Sequence, residues 1–499
     1  MNLKITYILL IIVALSFSGC MEDYLEEEAF NDFTEANFYT SDDDFVFIVN
    51  GVYEPLDGVQ SDLVFQNSWY SAVGSAADFN NFDEFDNVQL PSMVSGIWND
   101  MYTGITRSNS ALERMSEYQF TDMNLGTRLE AETRFLRAYY YFNLVRLYGD
   151  VPFIDEALTN FSSIDDVVNA SAVPRTSTET IYQAIISDLQ FAAANLSTLE
   201  DMRGTPDMGR ASQEAANTVL GLVYLTRGDY ADAETTLLQV EGSSGLELTP
   251  DYSCVTGSNT IEAIFEIQFA GESASSRQAL ANAIVPKGAP GISPEEPTGN
   301  IYAELRFFHS FDTADARYKA FFRTSYEDDG TVNWWQFAEP MPHFKKYEDP
   351  DDDTSPINQP LFRYADLLLM IAEAKVQNGK PVSEAEPYIN QVRNRAGIPD
   401  ITTGLTPEQF MDSLFVERNK ELCLEGHEFF DAKRFGKLIS EVQASVQYNE
   451  DFKSMYPDTA VLATPRAADV NIDETNLLWP LPTNTLERND AINENNPGY

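Results

Sequence analysis

The residues best suited to chemistry in this chain are aromatic and amide side chains that sit outside any helical period. Trp334 and Trp335 are adjacent and flanked by Asn333 and Gln336, within a segment from Ser325 to Pro342 that shows no periodicity. Trp69 and Tyr70 belong to a similar segment, Gln66 to Pro91, where Asp78, Asn80 and Asn81 follow among Phe79, Phe82 and Phe85. Flat apolar rings beside amides and carboxylates suit ligands that present C–H faces rimmed by hydroxyls, as sugar rings do. Neighbouring tryptophans are expensive to leave in water without such a ligand. The alternative is that these rings pin their loops to the rest of the fold.

Other chemistry finds no constellation. His309, His343 and His427 form neither an HExxH motif nor a triad-like arrangement. With 79 Asp and Glu residues in the chain, carboxylate pairs at any spacing carry no information about glycoside hydrolysis. Asp42 to Asp44 and Asp349 to Asp353 look like calcium loops. The second, however, offers Thr354 where an EF-hand needs glycine and Pro360 where it needs a bidentate glutamate. Cys20, Cys254 and Cys423 make no disulfide framework and no CxxC pair. No catalytic residue, metal or cofactor is expected.

The elements that must position the aromatic segments are helical. Of the fourteen residues from Phe135 to Tyr148, only Arg137, Asn143 and Arg146 are not apolar or aromatic, so this helix has no broad face left for water. Arg137 and Arg146 lie about half a turn out of phase at roughly 3.6 residues per turn, and each is expected to need a carboxylate partner. Ala215 to Val240 fits the tetratricopeptide pattern, with Leu220, Gly221, Tyr224, Ala233 and Leu237 at its packing positions and Gly228-Asp229-Tyr230 in the turn. Leu367 to Gly397 repeats it with Ala372, Gly379 and Ala385. Ile261 to Phe269 is β-rich, and Tyr302 to Phe311 reads as a short helix. The fold class is mainly α, with tetratricopeptide-like repeats.

Formal charge is −47 over 499 residues, which makes nucleic acid a very poor partner. After Lys4, the apolar run Ile8 to Leu15 leads to Ser18-Gly19-Cys20 and reads as a secretory signal over residues 1–19. Cysteine directly after Ser-Gly resembles the bacterial lipobox, in which that cysteine is lipidated and becomes the first residue. The acidic MEDYLEEEAF that follows resembles the export signal of Bacteroidetes lipoproteins bound for the outer face of the outer membrane. No other stretch approaches the roughly 18 apolar residues of a membrane span.

Taken in order, these pieces resemble the SusD/RagB family of outer-membrane glycan-binding lipoproteins. The likeness is carried by the lipobox, IWNDMYTGITRSNSAL, RFLRAYYYFNLVRLYGDVPF, GRASQEAANTVLGLVYLTRGDYADA, IEAIFEIQ, LFRYADLLLMIAEAKVQNG, INQVRNRAGIP, ERNKELCLEGHEFFDAKRFG and the terminal LLWPLPTNTLERN with NPGY. The resemblance implies a single lobe over residues 20–499, with an N-terminal part over 21–240 and a C-terminal part over 241–499. It implies about four tetratricopeptide-like helix pairs with a loop-rich, short-strand ligand-binding face, which the resemblance alone adds, and a role as binding subunit of a SusC-like TonB-dependent transporter in polysaccharide uptake. The site residues expected for glycan are Trp334, Trp335, Trp69, Tyr70, Asp78, Asn80, Asn81 and Asn333, with lipid on Cys20. The alternative is a tetratricopeptide-like surface scaffold that binds a peptide or protein.

Overall fold

The structure is a computed structural model that describes residues 39–76, 91–157, 172–242, 245–269, 279–284, 301–323, 342–347, 357–455, 470 and 472–499. Twelve longer helices are labelled here: α1 (Asp42–Tyr53), α2 (Pro55–Trp69), α3 (Pro91–Glu117), α4 (Met123–Tyr148), α5 (Thr178–Asn195) and α6 (Gln213–Arg227). They continue with α7 (Tyr230–Glu241), α8 (Tyr364–Gln377), α9 (Val382–Arg395), α10 (Pro407–Leu422), α11 (Glu428–Arg434) and α12 (Leu438–Met455). From α2 to α9 each helix packs against the next along the chain, which gives four successive helix pairs in one stack.

Helix α4 begins at Asp122, whose carboxylate accepts from the backbone N–H groups of Asn124 at 2.9 Å and Leu125 at 3.2 Å, and stops at Gly149, whose φ is 73°. Every residue from Phe135 to Tyr148 is buried except Arg137. Its tyrosines reach polar partners through the packing, as buried phenols must. Tyr140 donates to the Val52 carbonyl at 2.7 Å, Tyr141 to Ile154 at 2.9 Å and Tyr148 to Val94 at 2.9 Å. Gly104 on α3 makes room, because a Cβ there would fall 2.2 Å from the Tyr140 ring.

Helices α6 and α7 form the hairpin expected from the repeat. A Cβ on Gly221 would meet Leu237 at 2.4 Å, so only glycine permits this approach, and Ala233 and Leu237 are fully buried. Tyr224 lies at the margin, half-buried, with its hydroxyl accepting from Gln190 at 3.2 Å. Gly228, at φ 84°, makes the left-handed turn between the two helices.

The strands are short: β1 (Gly74–Ala76), β2 (Val151–Pro152), β3 (Arg175–Thr176), β4 (Ala263–Ile267), β5 (Ile301–Ala303), β6 (Phe322–Arg323), β7 (His343–Phe344) and β8 (Gln359–Arg363). β4 is the strand expected in IEAIFEIQF, and it pairs antiparallel with β8. β2 pairs with β3, and the remaining four form one antiparallel sheet in the order β1-β5-β7-β6. The C-terminal segment closes the lobe on α4. Trp479 N–H donates to the Leu147 carbonyl at 2.8 Å, and the Asn496 amide donates to the carbonyls of Tyr148 at 2.9 Å and Trp479 at 2.6 Å.

Candidate functional site

Both aromatic segments are rooted in the four-stranded sheet. Ala76 of β1 pairs with Ile301 of β5, Tyr302 with His343 of β7, and His343 with Arg323 of β6. Residues 77–90 therefore follow the end of the sheet marked by Ala76, Ile301 and Phe344. Residues 324–341 leave β6 and enter β7 at the opposite end, where the Ala303 N–H donates to the Pro342 carbonyl at 2.9 Å. Strands of two or three residues at roughly 3.3 Å per residue, spaced about 4.8 Å apart, put these roots on a platform about 10 Å by 15 Å. Trp334, Trp335, Asn333, Asp78, Asn80 and Asn81 lie outside the described residues.

Trp69 and Tyr70 are placed differently from the sequence expectation. The helical period of Val59 and Leu63 runs on through Gln66 to Trp69, so Trp69 ends α2 and does not stand in a loop. Trp69 is 2% exposed and Tyr70 is fully buried, with its ring 5.2 Å from Trp479 and 5.6 Å from Phe429. Neither offers an open face for stacking. Gln66-Asn67-Ser68, whose polarity suggested a loop, is buried in the helix. The Asn67 amide donates to the Gly426 carbonyl at 2.6 Å, and Ser68 donates to Glu428 at 3.3 Å.

These bonds tie α2 to a strained turn. Leu424 takes a left-handed φ of 61°, and its N–H donates to the Glu428 carboxyl at 2.5 Å. Burial pushes the Glu428 carboxyl up to about 7. On the same helix α2, burial with Asp100 nearby pushes Asp62 up to about 7 as well.

A network of paired charges is buried around Arg363 of β8. Arg363 meets Glu262 at 2.7 Å, Glu421 at 2.8 Å and Glu425 at 2.9 Å, and Arg395 meets Glu262 at 2.6 Å and also pairs with Glu421. Arg317 binds Asp315 at 2.9 Å, Glu417 at 2.7 Å and Glu421 at 3.3 Å. Lys346 and Arg393 complete it on Glu425 and Glu417. Burial alone would raise the Glu421 carboxyl, but Arg395, Arg363 and Arg317 hold it well below the usual range. The network fastens β8, α9 and α10 to Lys346 in the loop beyond β7, one strand of the platform.

The histidines occupy separate packing positions. His309 shares a hydrogen bond of 2.8 Å with Tyr448, His343 lies 4.8 Å from the Tyr302 ring, and His427 lies 5.7 Å from Phe362. Among the described residues, no group of three or more His, Cys, Asp or Glu is placed to hold a metal ion. Among the described residues, no helix is long and apolar enough to cross a membrane.

Comparison with known proteins bears on this arrangement. Residues 333–499 match the family model described as the SusD family, and residues 23–225 match one described as starch-binding associating with outer membrane. SusD-like protein P2 of Formosa agariphila is 28% identical over 99% of both chains. A SusD-like protein of Bacteroides ovatus is 25% identical over 96% of both. A SusD homolog from Bacteroides thetaiotaomicron superposes with a TM-score of 0.78 at 23% identity, over 94% of this chain and 99% of that one. A laminarin-binding SusD-like protein gives 0.68 at 23% identity, over 92% and 100%. These two structures share the mostly helical fold, and the matches span both halves of the sequence. The chain belongs to the SusD/RagB family.

Proposed function

We propose that this protein is a cell-surface lipoprotein that captures a poly- or oligosaccharide, without turning it over, and delivers it to a SusC-like TonB-dependent transporter. In this reading Trp334 and Trp335 supply the stacking faces, and Asn333, Asp78, Asn80 and Asn81 supply hydrogen bonds to hydroxyls. Trp69 and Tyr70 act from beneath, as the packed support of the strand that leads into residues 77–90. The observation that carries the proposal is the common root of the two segments in one small sheet, braced by buried ion pairs, in a member of a glycan-binding family. A lipid on Cys20 holds the protein at the outer membrane, on its outer face.

The test is isothermal titration against a panel of polysaccharides, with laminarin as the first. The expected result is binding by the wild type and loss or strong weakening in the Trp334→Ala, Trp335→Ala double variant. Wild-type affinity in that variant would remove the two tryptophans from the site. For anchoring, Cys20→Ala is expected to release the protein from washed membranes prepared without the transporter. Its retention there would exclude the lipid anchor.

A further inference from the structure

The sequence leads one to expect a carboxylate partner for both Arg137 and Arg146 of α4, and the structure supplies one to Arg137 alone of these two. Arg137 is met by Asp188 at 2.8 Å. Arg146 is 9% exposed, and no Asp or Glu among the described residues lies within ion-pair distance of it. Its guanidinium is sandwiched between Phe142 and Phe430, at 4.1 and 3.7 Å from the ring centres. One Nη donates to the Asn143 side chain, and Nε is buried without a hydrogen bond.

The surroundings add positive charge. Lys433 donates to the Arg146 carbonyl at 2.6 Å, and burial together with Arg146 holds its ammonium well below the usual lysine range. Asp431 is already taken by Arg418 at 2.7 Å and Arg434 at 2.6 Å. Asp366 is taken by Arg418 at 2.9 Å, with His427 at 3.8 Å, and Glu373 pairs with Arg434. Arg418 and Arg434 thus engage all three carboxylates, and among the described residues Arg146 and Lys433 are left without an ion pair. A cavity of about 230 Å³ opens on this cluster, lined by Arg146, Tyr182, Thr226, His427, Lys433 and Arg434 and by Asp431, whose carboxylate is engaged by Arg418 and Arg434.

We infer that this cavity is a binding site for an oxyanion, a carboxylate, phosphate or sulfate group, held by the in-plane N–H edge of Arg146 with Lys433 beside it. The two phenylalanine rings cover both faces of the guanidinium. Only its edge remains, which is the geometry that takes an oxyanion through paired hydrogen bonds. An unmatched buried cation is unfavourable until an anion joins it. The volume admits an oxyanion with several waters, or the acidic end of a sugar. The site does not depend on the glycan reading, and the binding it requires would survive alanine at Trp334 and Trp335.

The experiment is calorimetric titration of the purified protein with sodium sulfate, inorganic phosphate and glucuronate, with glucose as neutral control, at constant ionic strength. The expected result is saturable one-to-one binding of at least one anion, weakened at least tenfold in Arg146→Met, with no heat from glucose. Glucuronate binding tenfold tighter than either inorganic ion assigns the site to an acidic sugar, and the reverse order assigns it to a free ion. Should Arg146→Met fail to fold, Thr226→Phe narrows the half-buried rim and is expected to weaken binding equally. Absence of saturable binding of all three anions to the folded wild type would overturn the inference. So would unchanged affinity in a folded variant.

Discussion

Two of the buried charge clusters in this molecule follow opposite plans. Around Arg363, the five cations Arg317, Lys346, Arg363, Arg393 and Arg395 meet the five carboxylates Glu262, Asp315, Glu417, Glu421 and Glu425. Around Arg146, a guanidinium lies against two rings with no carboxylate in ion-pair distance among the described residues, because Asp366, Glu373 and Asp431 are engaged by Arg418 and Arg434, and with a cavity beside it. The first arrangement is complete within the protein and explains a rigid platform. The second is complete only with something added. Buried charge by itself therefore says little about binding, whereas buried charge left unmatched beside open volume says a good deal.

The largest effect should come from breaking the matched cluster. Arg363→Met leaves Glu262, Glu421 and Glu425 short of a partner inside the protein and should destabilise by about 3 to 5 kcal/mol, measured by denaturant unfolding. A loss under about 1 kcal/mol would mean that Arg395 and Lys346 can carry the carboxylates alone, and the contrast between the clusters would fade.

Acid should attack the same cluster next. Glu421 and Glu425 are held below their unfolded values, so their contribution is fully present above about pH 4.3 and is lost as pH falls from there, at up to about 1.4 kcal/mol for each tenfold difference in proton affinity between the folded and unfolded chain. Asp62 runs the other way. Its carboxyl is pushed up to about 7, so the fold prefers the protonated form and loses that contribution as pH rises from the unfolded value toward 7. Asp62→Asn should reduce the slope of the stability profile over that upper window, to which Glu428 contributes in the same direction, and leave the acid limb in place. An unaltered upper limb in melting curves from pH 4 to 8 would remove Asp62 as its source.

A smaller effect separates binding from both clusters. Alanine at Trp334 and Trp335 should weaken glycan binding several-fold or more, since each aromatic stack is worth about 0.5 to 1.5 kcal/mol beyond area burial, while the melting temperature stays put. A large drop in melting temperature would show instead that these rings hold the fold together. Smallest of all should be the stability change in Arg146→Met. Methionine fills the gap between Phe142 and Phe430 and strands no carboxylate, so the variant should lie within about 1 kcal/mol of wild type or above it. Destabilisation as large as that of Arg363→Met would abolish the distinction between the clusters.

What the sequence disclosed follows from how far each signal reaches. The interior character of Phe135 to Tyr148, the α6–α7 hairpin and β4 were legible because each repeats a period over enough residues to be recognised. The strands β1, β5, β6 and β7 span two or three residues each and show no alternation, and Tyr302, read as the start of a helix, pairs in a sheet. Trp69 was misplaced because Gln66, Asn67 and Ser68 look like loop residues until Gly426 and Glu428, some 360 positions away, are seen to bind them. Periodicity showed that Arg137 and Arg146 point to opposite sides of α4. It could not show that Asp188 waits on one side and Phe430 on the other.

Asn496 has a consequence for the order in which the molecule folds. Its amide is shared by the last carbonyl of α4, 348 positions earlier, and by Trp479, which itself bonds to Leu147. The buried end of α4 thus receives part of its cover from residues more than three hundred positions later in the chain. Contacts of such sequence separation form late, because their loop-closure entropy must be met first. The end of α4 therefore stays open until the segment around Trp479 and Asn496 has docked on it.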